Sequence, residues 1–230
     1  LSPYQSKKII DASGMFVVPG LIDIHTHVFV GGIPDVFANG RNSVSADNFS
    51  FRSGITTMVD AGTSGWRNFP IFKKNVIEKS KTRILVFLNI AGNGMSGDPI
   101  LTGLVDDNYL EKITSDEKYN QQDIVDMNAQ KTASVINKNK DVIIGVKIGH
   151  YEGEEITPFK RAIEAGIIAD VPVIVECHLP EISLENQLRM MRKGDILSHS
   201  FENVEERETI IDENGNVRKY VIDAKQRGVI

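Results

Sequence analysis

The chain has 230 residues, 41% hydrophobic and 25% charged, with a formal net charge of −5. That is ordinary globular composition at a length sufficient for one large domain, and the acidic balance without a basic face argues against a nucleic-acid partner. No apolar run approaches the roughly 20 residues of a membrane span. The lone cysteine, Cys177, excludes an internal disulfide framework and fits a reducing, cytoplasmic compartment.

In chain order, Val- and Ile-rich runs alternate with longer polar-faced stretches. The runs cover residues 20–30, 56–61, 83–91, 142–147, 172–178 and 195–201 and predict strands. Helices are predicted over 69–80, 122–137, 158–169 and 183–192. Pro158 suits a first helical turn, and Ser183 with Gln187 behind it resembles an N-terminal capping pattern. Beyond the sixth run, Asp212-Glu213-Asn214-Gly215-Asn216 between apolar ends predicts a hairpin-like excursion over 210–220. A last helix over 221–227 stops at Gly228, and Val229-Ile230 opens another strand. Six βα units and the start of a seventh strand predict an α/β fold, an incomplete (β/α)8 TIM-type barrel over residues 19–230. An open doubly wound sheet fits the same alternation, but no Gly-x-Gly-x-x-Gly or P-loop pattern follows any strand.

In a parallel barrel, chemistry collects at the C-terminal strand ends. Asp23, His25 and His27 alternate on the first strand and so share one face. Lys147 ends the fourth, Glu176 and His178 end the fifth, and His199 ends the sixth. A lone histidine at such a position is usually a satisfied structural residue; imidazoles and a carboxylate converging from separate strand ends read as ligands of a divalent metal. A lysine at a strand end ordinarily snorkels, and an ammonium beside a dication would oppose binding. That conflict disappears if CO2 converts Lys147 to an anionic carbamate. Asp60 has a supporting place behind the ligands, and Trp66 a packing one.

Residues 17–27, Val-Val-Pro-Gly-Leu-Ile-Asp-Ile-His-Thr-His, resemble the first barrel strand of the amidohydrolase superfamily. Phe51-Arg52-Ser53-Gly54-Ile55-Thr56-Thr57, Val59-Asp60-Ala61-Gly62, Gly65-Trp66-Arg67-Asn68-Phe69, Gly145-Val146-Lys147-Ile148-Gly149-His150-Tyr151 and Gly194-Asp195-Ile196-Leu197-Ser198-His199 narrow the resemblance to its deacetylase-like metallohydrolases, relatives of dihydroorotase and D-aminoacylase. It runs from about residue 9 to the end. Ile9-Ile10-Asp11-Ala12-Ser13-Gly14 resembles the end of a small β-sandwich, which assigns 1–18 to the close of that domain and a linker.

The resemblance implies a hydrolase that cleaves an amide, N-acyl, cyclic amide or ester bond of a small molecule with metal-activated hydroxide, using two divalent ions, zinc in the first instance. His25 and His27 would hold one ion, carboxylated Lys147 would bridge to the second, and His199 would hold the second. The fifth-strand ligand, normally histidine, falls on Glu176, with His178 as the alternative. Asn89 and His150 are candidates for substrate contact, with loop hydrogen bonding the competing role. The aspartate that ends the family's eighth strand has no counterpart before residue 230, so no catalytic residue is assigned within the chain. The sequence thus reads as a piece of a longer protein, expected to be inactive on its own and prone to aggregate through open sheet edges. Two other readings stand beside this one. A one-metal deaminase on the same barrel has no use for Lys147, and a non-catalytic binding or assembly barrel typically loses the ligands retained here. Homo-oligomerisation is left open.

Overall fold

The computed structural model describes residues 9–30, 43–95, 123–149, 151, 153–176, 182–201 and 208–230. Six strands form one sheet in sequential order: β1 (Leu21–Thr26), β2 (Ile55–Gly65), β3 (Arg83–Asn89), β4 (Ile143–Ile148), β5 (Val173–Glu176) and β6 (Ile196–Ser198). Every pair is parallel. The sequential parallel order is that of a partial TIM barrel and rules out the doubly wound alternative, whose strand order reverses at a switch point. Beyond β6 the ladder continues into the chain's last residue: Ile230 N–H donates to Asp195 O at 2.9 Å and Leu197 N–H to Ile230 O at 2.9 Å. The strand expected at Val229-Ile230 is there in its first rung.

Among the described residues the α-helices are α1 (Ala46–Phe49), α2 (Phe69–Phe72), α3 (Ala129–Asn137), α4 (Thr157–Ala169), α5 (Leu184–Met190) and α6 (Lys219–Gln226). Where they depart from the sequence reading, local hydrogen bonding explains most of the difference. The helix expected from residue 122 begins at Ala129, because Asn128 accepts Lys131 N–H at 2.9 Å and caps it there. Upstream, Asp123 accepts Val125 N–H at 2.9 Å and closes a separate 3₁₀ turn, Ile124–Asp126. The stretch expected as one helix over 69–80 is α2 followed by a wider π turn, Lys73–Ile77, in which Glu78 N–H reaches Lys73 O at 2.9 Å. Ser183 does cap α5, accepting from Asn186 N–H at 3.3 Å, while the Gln187 amide turns back to Ile182 O at 2.6 Å. The excursion over 210–220 closes by an antiparallel bridge, Ile211 to Val217, around a turn in which Asp212 accepts from Asn214 and Asn216. Among the described residues before β1, no strand forms; Met15 N–H closes a turn onto Ala12 O at 3.0 Å.

Period-two alternation sorts the strand residues into two cores. The outward faces of β2–β5 pack on the helices, with Met58, Val86, Leu88, Val146 and Val175 meeting Phe69, Phe72, Ile136, Phe159 and Leu184 in one large cluster. The inward faces form a second, small cluster of Val59, Phe87 and Ile174, with Leu85, Ile144 and Ile196 against it. This is an apolar floor across the interior. On β3, β4 and β5 the residues two steps further along the inward faces, above that floor, are polar.

Candidate metal centre

Two residues beyond Phe87, Gly145 and Ile174 stand Asn89, Lys147 and Glu176, all three almost completely buried. Register sets the neighbours: Asn89 lies opposite Lys147, and Glu176 opposite Ser198. Lys147 Nζ donates to Glu176 Oε2 at 2.8 Å in a fully buried ion pair. Two glycines make room for the lysine stem. A Cβ on Gly62, which has φ +88°, would lie 2.5 Å from Lys147 Cγ, and one on Gly149 would lie 2.9 Å from Lys147 Cε.

The histidines close over this pair. His199 lies one residue beyond β6 with φ 59°, a left-handed conformation uncommon for a side-chain-bearing residue and frequent where function imposes a geometry. Its Nε2 is 3.7 Å from Glu176 Oε1, and its ring meets that of His25 edge-on at 4.9 Å between centroids. His25 stands on β1, with its backbone N–H held by Asp23 Oδ1 at 3.2 Å. One ligand atom each from His25, Glu176 and His199 lie within 4.8 Å of one another. His27, just past β1, lies 5.7 Å from His25 between ring centroids, and its Nδ1 is 2.9 Å from Thr63 Oγ1.

The electrostatics favour a ligand role for His25. Burial, then the positive charge of Lys147, lowers its pKa to about 4. The ring is therefore neutral at neutral pH, the form that binds metal. Two imidazoles and a carboxylate from three different strands, with donor atoms within 4.8 Å of one another, are a donor set suited to zinc or a similar ion. The residues present thus fit a divalent cation.

Asn89 Nδ2 donates to Gly62 O at 3.0 Å, and its Oδ1 accepts Ala91 N–H at 3.0 Å, so its amide shapes the loops around Lys147. Trp66 packs against the large core between two cations, Arg67 at 4.3 Å and Lys131 at 4.4 Å from its ring, and donates to Asp126 O at 3.0 Å. His150 and His178 lie outside the described residues. Sequence reasoning misses Thr63: a threonine in a strand carries no chemical signal, and only the fold brings its hydroxyl to His27.

No family model matches the chain. A deacetylase of Agrobacterium fabrum is 30% identical over 196 residues, 84% of this chain and 42% of the relative. Among solved structures, a dihydroorotase matches with a TM-score of 0.69 at 25% identity, over 92% of this chain and 49% of that one. An adenine deaminase matches in fold with a TM-score of 0.71 at 23% identity, over 92% and 51%. The fold is shared with these structures, and the likeness to a deacetylase and a dihydroorotase agrees with the resemblance of the sequence to the amidohydrolase superfamily. The chain spans less than half the length of the deacetylase it matches.

Proposed function

We propose that the protein is a metal-dependent hydrolase of the deacetylase type, acting on an amide, N-acyl, cyclic amide or ester bond of a small molecule in the cytoplasm. The observation that carries the reading is the convergence of His25, Glu176 and His199 over the buried Lys147. The deacetylase relative supports the same reaction class. His25 and His27 would hold one ion, His199 and Glu176 the second, with His178 the alternative fifth-strand ligand and Lys147, as its carbamate, the bridge. Divalent ions so held, zinc first among them, would lower the pKa of a bound water toward 7 and polarise the scissile carbonyl. This chain's own residues would set the charge of the centre, fix the rings and keep the lysine stem dry between Gly62 and Gly149. Asn89 and His150 would line the approach of substrate, and residues 1–18 would close a small β-sandwich domain.

The ion pair of Lys147 with Glu176 favours a second reading. An ammonium held by a carboxylate must lose its proton before it can take up CO2, so Lys147 could stay unmodified as the counter-ion of a single ion on His25, Glu176 and His199. Metal analysis of the full-length protein, purified with zinc and bicarbonate, decides between them. Two ions per chain, falling to one or none in Lys147→Ala, are expected; one ion with an unmodified lysine by mass favours the second reading. No bound divalent ion would sink both.

A further inference from the structure

The end of β2 with the turn after it, and the turn after β3, run against each other through glycines. A Cβ on Gly65 would lie 1.8 Å from Ala91 O, and one on Gly94 would lie 2.3 Å from Thr63 O, so the backbones meet closer than side chains would allow. Two backbone bonds tie the stretches together: Arg67 N–H donates to Gly92 O at 2.8 Å and Met95 N–H to Gly62 O at 2.9 Å. Asn68, completely buried, adds a third tie through its side chain. Its Oδ1 accepts Gly65 N–H at 2.8 Å in the first stretch, and its Nδ2 donates to Asn93 O at 2.8 Å in the second. One partner is a donor and the other an acceptor, so a primary amide serves both where an ionised carboxylate would serve only one. The joined stretches reach Lys147 from two directions. Ile90 N–H donates to Lys147 O at 3.0 Å, and Gly62, whose Cα faces the lysine stem, has its carbonyl held by Met95 N–H and by Asn89 Nδ2.

We propose that Asn68 is a positioning residue for Lys147: its amide locks the turns after β2 and β3 into one body, and the walls of that body fix the lysine stem and so the reach of Nζ to Glu176. The inference rests on the reading of Lys147 as part of the metal centre. Asn68 acts through the backbone of Gly62 and Ile90. It also starts α2, since its carbonyl accepts Ile71 N–H at 3.0 Å, so the first helix after β2 is anchored to the same body. A lysine has four rotatable bonds in its stem, and burial between fixed walls leaves it few of the conformations it would otherwise sample.

The test uses the full-length protein and three variants. Asn68→Ala removes both side-chain bonds, Asn68→Asp keeps the acceptor and loses the donor, and Asn128→Ala removes the cap of α3 while leaving the two turns alone. The metal-free proteins are labelled with an amine reagent and the modification of Lys147 is read by mass spectrometry. Labelling of Lys147 is expected to be about 10-fold faster in Asn68→Ala than in the wild type, the effect on local opening of one or two lost hydrogen bonds. It should be intermediate in Asn68→Asp and unchanged in Asn128→Ala, although that variant also loses stability. Zinc affinity, by competition with a chromophoric chelator, is expected to fall about 10-fold in Asn68→Ala. Lys147 labelled as slowly in Asn68→Ala as in the wild type overturns the proposal, and so does an equal gain in Asn128→Ala. Should neither Asn68 variant fold, amide exchange in the wild type decides: the N–H groups of Gly65, Arg67 and Met95 are expected to exchange as slowly as those inside β2 and β3, and fast exchange there overturns the locked body. If zinc fails to bind the wild type while Lys147 labelling still responds to Asn68, the positioning stands and the metal reading is what fails.

Discussion

The inward face of the sheet carries two layers separated by one pleat, and they follow opposite rules. The floor of Val59, Phe87 and Ile174 is apolar and gains its stability from removal of surface from water. The layer above it, with Asn89, Lys147 and Glu176, is as buried as the floor but polar. Its ion pair has to offset the desolvation of two charges, which at best breaks even against hydrophobic packing. A chain selected only to fold would fill both layers with aliphatic side chains. The difference is the one expected of a polar layer kept for chemistry, as proposed above, with the floor below it bearing the cost.

Breaking the floor is expected to have an effect as large as any. Phe87→Ala should lower unfolding stability by about 3–5 kcal/mol, read from the denaturant midpoint, because the neighbours only partly fill the cavity. A loss under about 1 kcal/mol would mean that the floor is not a packed core. In the polar layer the informative experiment is a pair of variants. Lys147→Met alone leaves Glu176 buried without its cation, at a cost of about 3–5 kcal/mol. Adding Glu176→Leu should recover that loss or exceed it while abolishing metal binding. A double variant as unstable as the single one would show that the upper layer is structural after all.

The smallest effect expected is one of pH, in the metal-free protein. His25, lowered from 6.5 to about 4, refuses a proton that the unfolded chain takes up, so its contribution is present above pH 6.5 and is lost as pH falls toward 4. Asp60, raised by burial from 3.8 to about 6, has the opposite sign: its contribution is present below pH 3.8 and is lost as pH rises through 6. The two oppose each other between pH 4 and 6. His25→Gln removes one of them, and its stability relative to wild type should therefore rise on acidification across that window. Parallel profiles for the two proteins would remove His25 as a titrating group of the fold.

How much was legible in the sequence follows from which interactions are local. Six strands show as apolar runs, and a period of two already assigns Asp23, His25 and His27 to one face. Parallel connection through helices already implies that strand ends share one rim. Helix starts were less legible, since the competition between Asp123, Asn128 and the continuing helix is settled by a few local hydrogen bonds of similar strength.

By itself, then, the sequence determined the strand ends and the residue types placed on them, because alternation and strand order are properties of the chain. Only the tertiary structure decided which of those residues meet. It brought Lys147 to Glu176 across two strands, set His199 in a left-handed turn against His25, and placed Thr63 between His27 and Asp60. These contacts depend on register and on the close approach permitted at Gly62 and Gly149, distances between strands that no pattern along one strand encodes.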